Sequence, residues 1–162
     1  MLIQLKKGRD GPSTLACVRP DGTRSWAKLH PFFPEHDLTH CAVETVLRFT
    51  EAFFGLVASG WQLDDFSLPQ TRARLPLDAL WAEAIVGIFD LERGMGRLLP
   101  ASDFNHALSE SLRTQGLPPH RAMTDAEIQA IRSLRGQLVG RWRAIAPGGT
   151  LEVPFPAVLA AV

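Results

Sequence analysis

Residues 30–40, His30-Pro31-Phe32-Phe33-Pro34-Glu35-His36-Asp37-Leu38-Thr39-His40, divide a chain that reads as strands from one that reads as helices. Pro31 and Pro34 hold the residues before them in extended backbone and stiffen the crossing. Pro34 and Glu35 then suit a first helical turn, where a missing amide costs nothing and a carboxylate meets the positive end of the helix dipole. Beyond them Leu38, Ala42, Val43, Val46, Phe49, Phe53, Leu56 and Val57 recur at helical spacing as far as Gly60. This periodicity predicts one long amphipathic helix up to that glycine.

Before the crossing, Leu2-Ile3-Gln4-Leu5 and Thr14-Leu15-Ala16-Cys17-Val18 are short strand candidates, separated by Gly8-Arg9-Asp10-Gly11-Pro12. Asp21-Gly22 is a hairpin turn, and Ser25-Trp26-Ala27-Lys28-Leu29 alternates as a third strand should. After Gly60, residues 61–74 read as a loop carrying Asp64, Asp65 and Pro69. A second helix runs from Leu77 to about Arg93, stopped by Gly94 and Gly96, and a third from Ser102 to near Gly116. Pro118-Pro119 breaks the chain, and Thr124 with Glu127 forms a capping box for a fourth helix reaching about Ala146. Leu151-Glu152-Val153-Pro154-Phe155 is a candidate edge strand. The expectation is an α+β domain over 1–162: an antiparallel sheet from 1–30, a bundle of about four helices over 34–146, and an edge strand within 150–156.

Seventeen Lys and Arg balance seventeen Asp and Glu, so no global field draws the chain to nucleic acid or an anionic membrane. No apolar run is long enough for a signal peptide or a membrane span, because Arg48, Glu51, Glu83 and Asp90 interrupt the candidates. Two cysteines, Cys17 and Cys41, are too few for a disulfide framework or a cysteine zinc cluster. The expected location is cytoplasmic, with reduced thiols.

The chemistry concentrates in His36-Asp37-Leu38-Thr39-His40. Histidines at i and i+4 lie on one helical face, close enough to share a divalent metal ion, and Asp37 stands where a metal-activated water needs a base. Glu44 lies in line with both imidazoles and more naturally meets His40, orienting it through its second nitrogen. A third ligand must come from elsewhere. Glu83 lies in Leu77–Phe89, a segment apolar nearly all round and therefore expected to be buried, and it is the first choice, ahead of His30 and His106. Zinc is the first expectation for the metal, although iron and manganese accept the same donors. Arg135 falls in the middle of the apolar arc of the fourth helix, so it should meet Glu44, Glu83 or Asp90, or anchor a substrate.

His36-Asp37-Leu38-Thr39-His40 resembles the H-E-x-x-H motif of the zincin metallopeptidases. The resemblance implies that His36 and His40 bind zinc and that Asp37 polarises the attacking water. It covers five residues and departs from the family in two ways: Asp replaces the longer Glu, and the metzincin extension is missing, since positions 43 and 46 are both Val. Beyond the motif the chain looks like a small bacterial protein, a likeness that implies no activity. A metal-binding protein, and more narrowly a metal-dependent hydrolase, is the leading functional expectation. The alternative is a non-enzymatic helical scaffold or interaction module, in which Phe49, Phe53, Phe54 and Trp61 serve either packing or a homodimer interface.

Overall fold

Alternation in the first thirty residues becomes a sheet. The computed structural model describes residues 1–156, without the side chain of Arg72. Strands β1 (Leu2–Lys6), β2 (Ser13–Val18), β3 (Arg24–Leu29) and β4 (Thr150–Pro154) pair antiparallel in the order β3-β2-β1-β4. Ile3 stands opposite Cys17 and Val153, and Leu5 opposite Leu15 and Leu151; all six are buried. One face of the sheet is therefore the core face, as period-two alternation requires. On the other face Gln4 donates to Glu152 at 2.8 Å and accepts from Arg24. The Asp21 carboxylate accepts from the Thr23 amide and hydroxyl, and Gly22 takes φ 85°, which closes the hairpin between β2 and β3. The C-terminal strand lies at the sheet edge beside β1.

Six helices follow among the described residues: α1 (Phe33–Leu47), α2 (Phe53–Ala58), α3 (Pro69–Arg72), α4 (Leu77–Met95), α5 (Ala101–Thr114) and α6 (Asp125–Ala144). Four of them, α1, α4, α5 and α6, are the long ones, so the fold is α+β with a four-helix body. α1 packs against both α4 and α6, and α5 against α4. The Thr124–Glu127 capping box forms in full, with Thr124 accepting from the Glu127 amide at 3.2 Å and Glu127 accepting from the Thr124 amide at 2.9 Å. At the other end of α6, Lys7 donates to the carbonyl of Ile145 at 2.7 Å, placing a cation on the negative end of the dipole.

The single helix expected from Pro34 to Gly60 is broken. α1 stops at Arg48, which adopts φ 58°, and the Phe49 amide turns back to the Glu44 carbonyl. Residues 50–52 then cross tightly enough that a Cβ on Gly55 would stand 2.2 Å from the Thr50 carbonyl oxygen. Gly55 is thus required by that close approach. The periodicity survives the break because both pieces turn their apolar sides to the same core.

A six-residue helix has little stability of its own. α2 is held by opposite charges at its two ends. At its start the buried carboxylate of Glu44 accepts from the amides of Phe54 and Gly55 at 3.0 and 3.1 Å. At its end the Arg19 guanidinium donates to the carbonyls of Val57 and Trp61 at 2.6 and 2.5 Å. Residues 61–74, expected to be an unstructured loop, contain a 3-10 turn over Leu63–Ser67 and the short α3. Phe66 packs there on Phe53 and Trp61, with ring centroids 4.7 and 5.6 Å apart, and Phe54 is fully buried. These aromatic rings belong to internal packing.

Cys17 and Cys41 are both buried and unpaired with each other, and burial pushes each thiol up to about 12. Native thiols therefore keep their protons while unfolded ones ionise near pH 9. The folded pKa is the higher, so this contribution is intact below pH 9 and is lost as pH rises from 9 to 12. Between pH 9 and 10.5, urea denaturation should show stability falling by roughly 1 kcal/mol per pH unit for each thiol. A Cys41→Ala protein should show a visibly shallower slope, and an unchanged slope would refute the assignment.

Candidate metal centre

α1 carries the two imidazoles and Glu44, and α4 carries Glu83 and Asp90, the other acids that meet them. His36 and His40 stand one turn apart on the side of α1 that faces α4, with ring centroids 4.9 Å apart in an edge-to-face arrangement. His36 Nδ1 lies 2.7 Å from Asp90 Oδ2, and its Nε2 lies 3.9 Å from Glu83 Oε1. His40 follows the pattern more loosely: Nδ1 lies 3.4 Å from Glu44 Oε1 without hydrogen-bond alignment, and Nε2 lies 3.1 Å from Glu83 Oε2. Each ring thus has its Nδ1 backed by its own carboxylate while its Nε2 turns to one shared glutamate. Ligand atoms of His36, His40 and Glu83 lie within 4.8 Å of one another.

The rings are held by packing as well as charge. Phe32 and Phe33 enclose His36 at 5.5 and 5.8 Å, and Phe53 lies 5.4 Å from His40. Asp90 is further anchored by Arg93, whose Nη2 stands 3.0 Å from Asp90 Oδ1 in an ion pair without hydrogen-bond alignment. Burial pushes the His40 imidazole toward its neutral form, but the Glu44 and Glu83 carboxylates outweigh it and raise the pKa to about 10. A bare site therefore holds His40 as an imidazolium between two carboxylates.

Glu83 departs from expectation in one respect. Its side chain is 64% exposed, not buried. α4 buries Ala79, Ala82, Ile85, Val86 and Phe89, while Glu83, Gly87 and Leu91 form its outward stripe. Gly87 and Leu91 carry no charge, so the sequence lacked the polar marks that usually reveal an outer face. Asp90, two turns beyond Glu83, is an acid of the site that the sequence reading places against Arg135 instead. Its seven-residue spacing from Glu83 puts both acids on one stripe of α4, from whose edge each reaches a histidine of α1.

Asp37 is buried, and its Oδ2 has no hydrogen-bond partner among the described residues. One residue along from His36, it diverges by about 100° and stands outside the ligand group. Burial raises its pKa to about 7, against the opposing pull of His40 and His36. Asp37 nevertheless lines the same cavity as both histidines and Glu83, a space of about 450 Å³ whose other walls include Leu29, Phe53 and Phe66. Arg135 lies elsewhere. It donates from Nε to the Thr39 hydroxyl at 3.0 Å, has no ion pair with Glu44, Glu83 or Asp90, and lines a different cavity. His106 and His30 are also absent from the ligand group.

No known protein family, curated protein or solved structure matches this chain. No helix among the described residues is long and apolar enough to cross a membrane.

Proposed function

We propose that the protein binds one divalent metal ion, zinc foremost, through His36 Nε2, His40 Nε2 and Glu83. The observation that carries this reading is the paired polarity of the rings, each with an acid on Nδ1 and its Nε2 toward the same carboxylate. An acid hydrogen-bonded to Nδ1, as Asp90 is to His36, holds the proton there and leaves the Nε2 lone pair for a metal, the usual support of a metal-bound histidine; for His40 the nearby Glu44 acts by charge alone. Tetrahedral bonds of about 2.1 Å separate neighbouring donor atoms by about 3.4 Å. The 3.1 and 3.9 Å distances straddle that value. Three protein ligands leave a fourth position open, which is the catalytic rather than the structural pattern.

The narrower reading is a metal-dependent hydrolase. Asp37 is a buried carboxylate on the cavity wall without a partner for one oxygen, suited to take a proton from a metal-activated water. The largely apolar walls suit a small substrate with an apolar portion beside its reacting group. Its counterpart is a scaffold in which protonated His40 simply ties Glu83 to Glu44, a reading favoured by the 3.1 Å contact between His40 and Glu83.

Elemental analysis of untagged protein, purified without chelators and then offered zinc, manganese or iron(II), separates the two. Near one metal per chain is expected, with stoichiometric binding lost in His40→Ala. Asp90→Asn should weaken affinity by about 10–100-fold while leaving the ligands in place. A wild-type protein that retains no metal after such loading leaves the scaffold reading.

A further inference from the structure

A second cavity of about 480 Å³ opens between the first turn of α1, the C-terminal end of α4 and the Arg132–Arg143 stretch of α6. Five arginines line it: Arg93, Arg97, Arg132, Arg135 and Arg143, against two acids, Glu35 and Glu92. Both acids are already committed. Glu35 accepts from Arg143 at 2.9 and 3.0 Å and from Arg93 at 3.4 Å, and Glu92 is bound by Arg132. Arg97 and Arg135 have no carboxylate within ion-pair reach among the described residues. Arg135 is half-buried, and its recorded bond, to Thr39, uses Nε alone and leaves the fork of terminal nitrogens uncommitted. Burial lowers its pKa, which is what an uncompensated guanidinium undergoes.

An unpaired, partly desolvated guanidinium is costly to keep unless a ligand completes it. The planar fork of arginine matches a phosphate oxygen pair better than any other common partner. The cavity also has room for one: Gly96 and Gly136 line it, and nothing stands within 4 Å of where either would carry a Cβ. Leu98, 62% exposed, and Val139 add apolar surface beside the arginines. We propose that this cleft binds the phosphate group of a small organic phosphomonoester, held by Arg135 and Arg97, with its carbon portion against Leu98 and Val139. A nucleic-acid backbone fits less well, because Glu35 and Glu92 sit in the wall and the chain as a whole carries no net charge.

The test uses the full chain, dialysed against EDTA so that its outcome is independent of the metal centre. Thermal unfolding is followed against phenyl phosphate, inorganic phosphate and chloride at constant ionic strength. A saturable rise in Tm is expected with phenyl phosphate, at lower concentration than with inorganic phosphate, and none with chloride. Arg135→Met and Arg97→Ser should each weaken the apparent affinity by about tenfold, the loss expected for one charged hydrogen-bonding partner. If Arg135→Met fails to fold, the exposed Arg97→Ser decides alone. Equal affinity for inorganic phosphate overturns the organic-phosphate assignment. A rise shared by chloride, unchanged affinity in the folded variants, or tighter binding of a single-stranded RNA than of phenyl phosphate overturns the site.

Discussion

Glu44→Ala is expected to cost about 3–5 kcal/mol in urea unfolding, more than most core truncations of similar size. The Glu44 carboxylate is almost wholly buried and serves two structures at once. It accepts the Phe54 and Gly55 amides that open α2, and it stands 3.4 Å from His40 Nδ1. Alanine leaves those two amides buried and unsatisfied, at about 1–3 kcal/mol each, and also removes the anion from a buried imidazole. Nothing in so short a helix replaces the cap, so hydrogen exchange at Phe54 and Gly55 should rise along with the global loss. Glu44→Gln keeps one acceptor and should recover part of the stability without restoring the charge beside His40. A loss below 1 kcal/mol in the alanine variant would show that α2 does not depend on this carboxylate.

Arg132→Met should destabilise the protein by a comparable 3–5 kcal/mol, about the cost of stranding one member of a buried ion pair. Glu92 is 1% exposed at the side chain and Arg132 10%. The pair does more than neutralise charge, because Glu92 accepts the Leu99 amide at 2.8 Å and Arg132 donates to the Leu99 carbonyl at 2.7 Å. These contacts fasten the turn between α4 and α5 onto α6. Methionine preserves much of the volume, so the loss reports the uncompensated carboxylate rather than a void. In the double variant Arg132→Met/Glu92→Leu the part of the deficit due to the stranded carboxylate should disappear, while the loss of both partners of the Leu99 amide and carbonyl remains. Additive costs in that cycle would instead mean that the two side chains act independently.

The local devices of the fold were legible because they depend on near neighbours. Asp21-Gly22 marks its hairpin, Thr124 and Glu127 mark the start of α6, and Gly96 ends α4 at φ 64°. The strand candidates before the crossing formed as read, and their alternate residues Ile3, Leu5, Leu15 and Cys17 are buried. The candidate site was partly legible for the same reason: His36 and His40 share a face once α1 is helical, and Glu44 follows one turn later. Asp90 was missed because its meeting with His36 crosses 54 residues of chain.

By itself the sequence determined the α+β order, the capping of α6 and the juxtaposition of His36 with His40, since period and caps act over a few residues. Tertiary structure alone decided that residues 34–60 form two helices, because the break at Arg48 is held by Glu44 and Arg19 across the fold. It also decided that Glu83 faces outward and that Arg135 lines a separate cleft. Which side of a helix meets solvent, and which acid meets which base, depend on partners that approach only when the chain has packed.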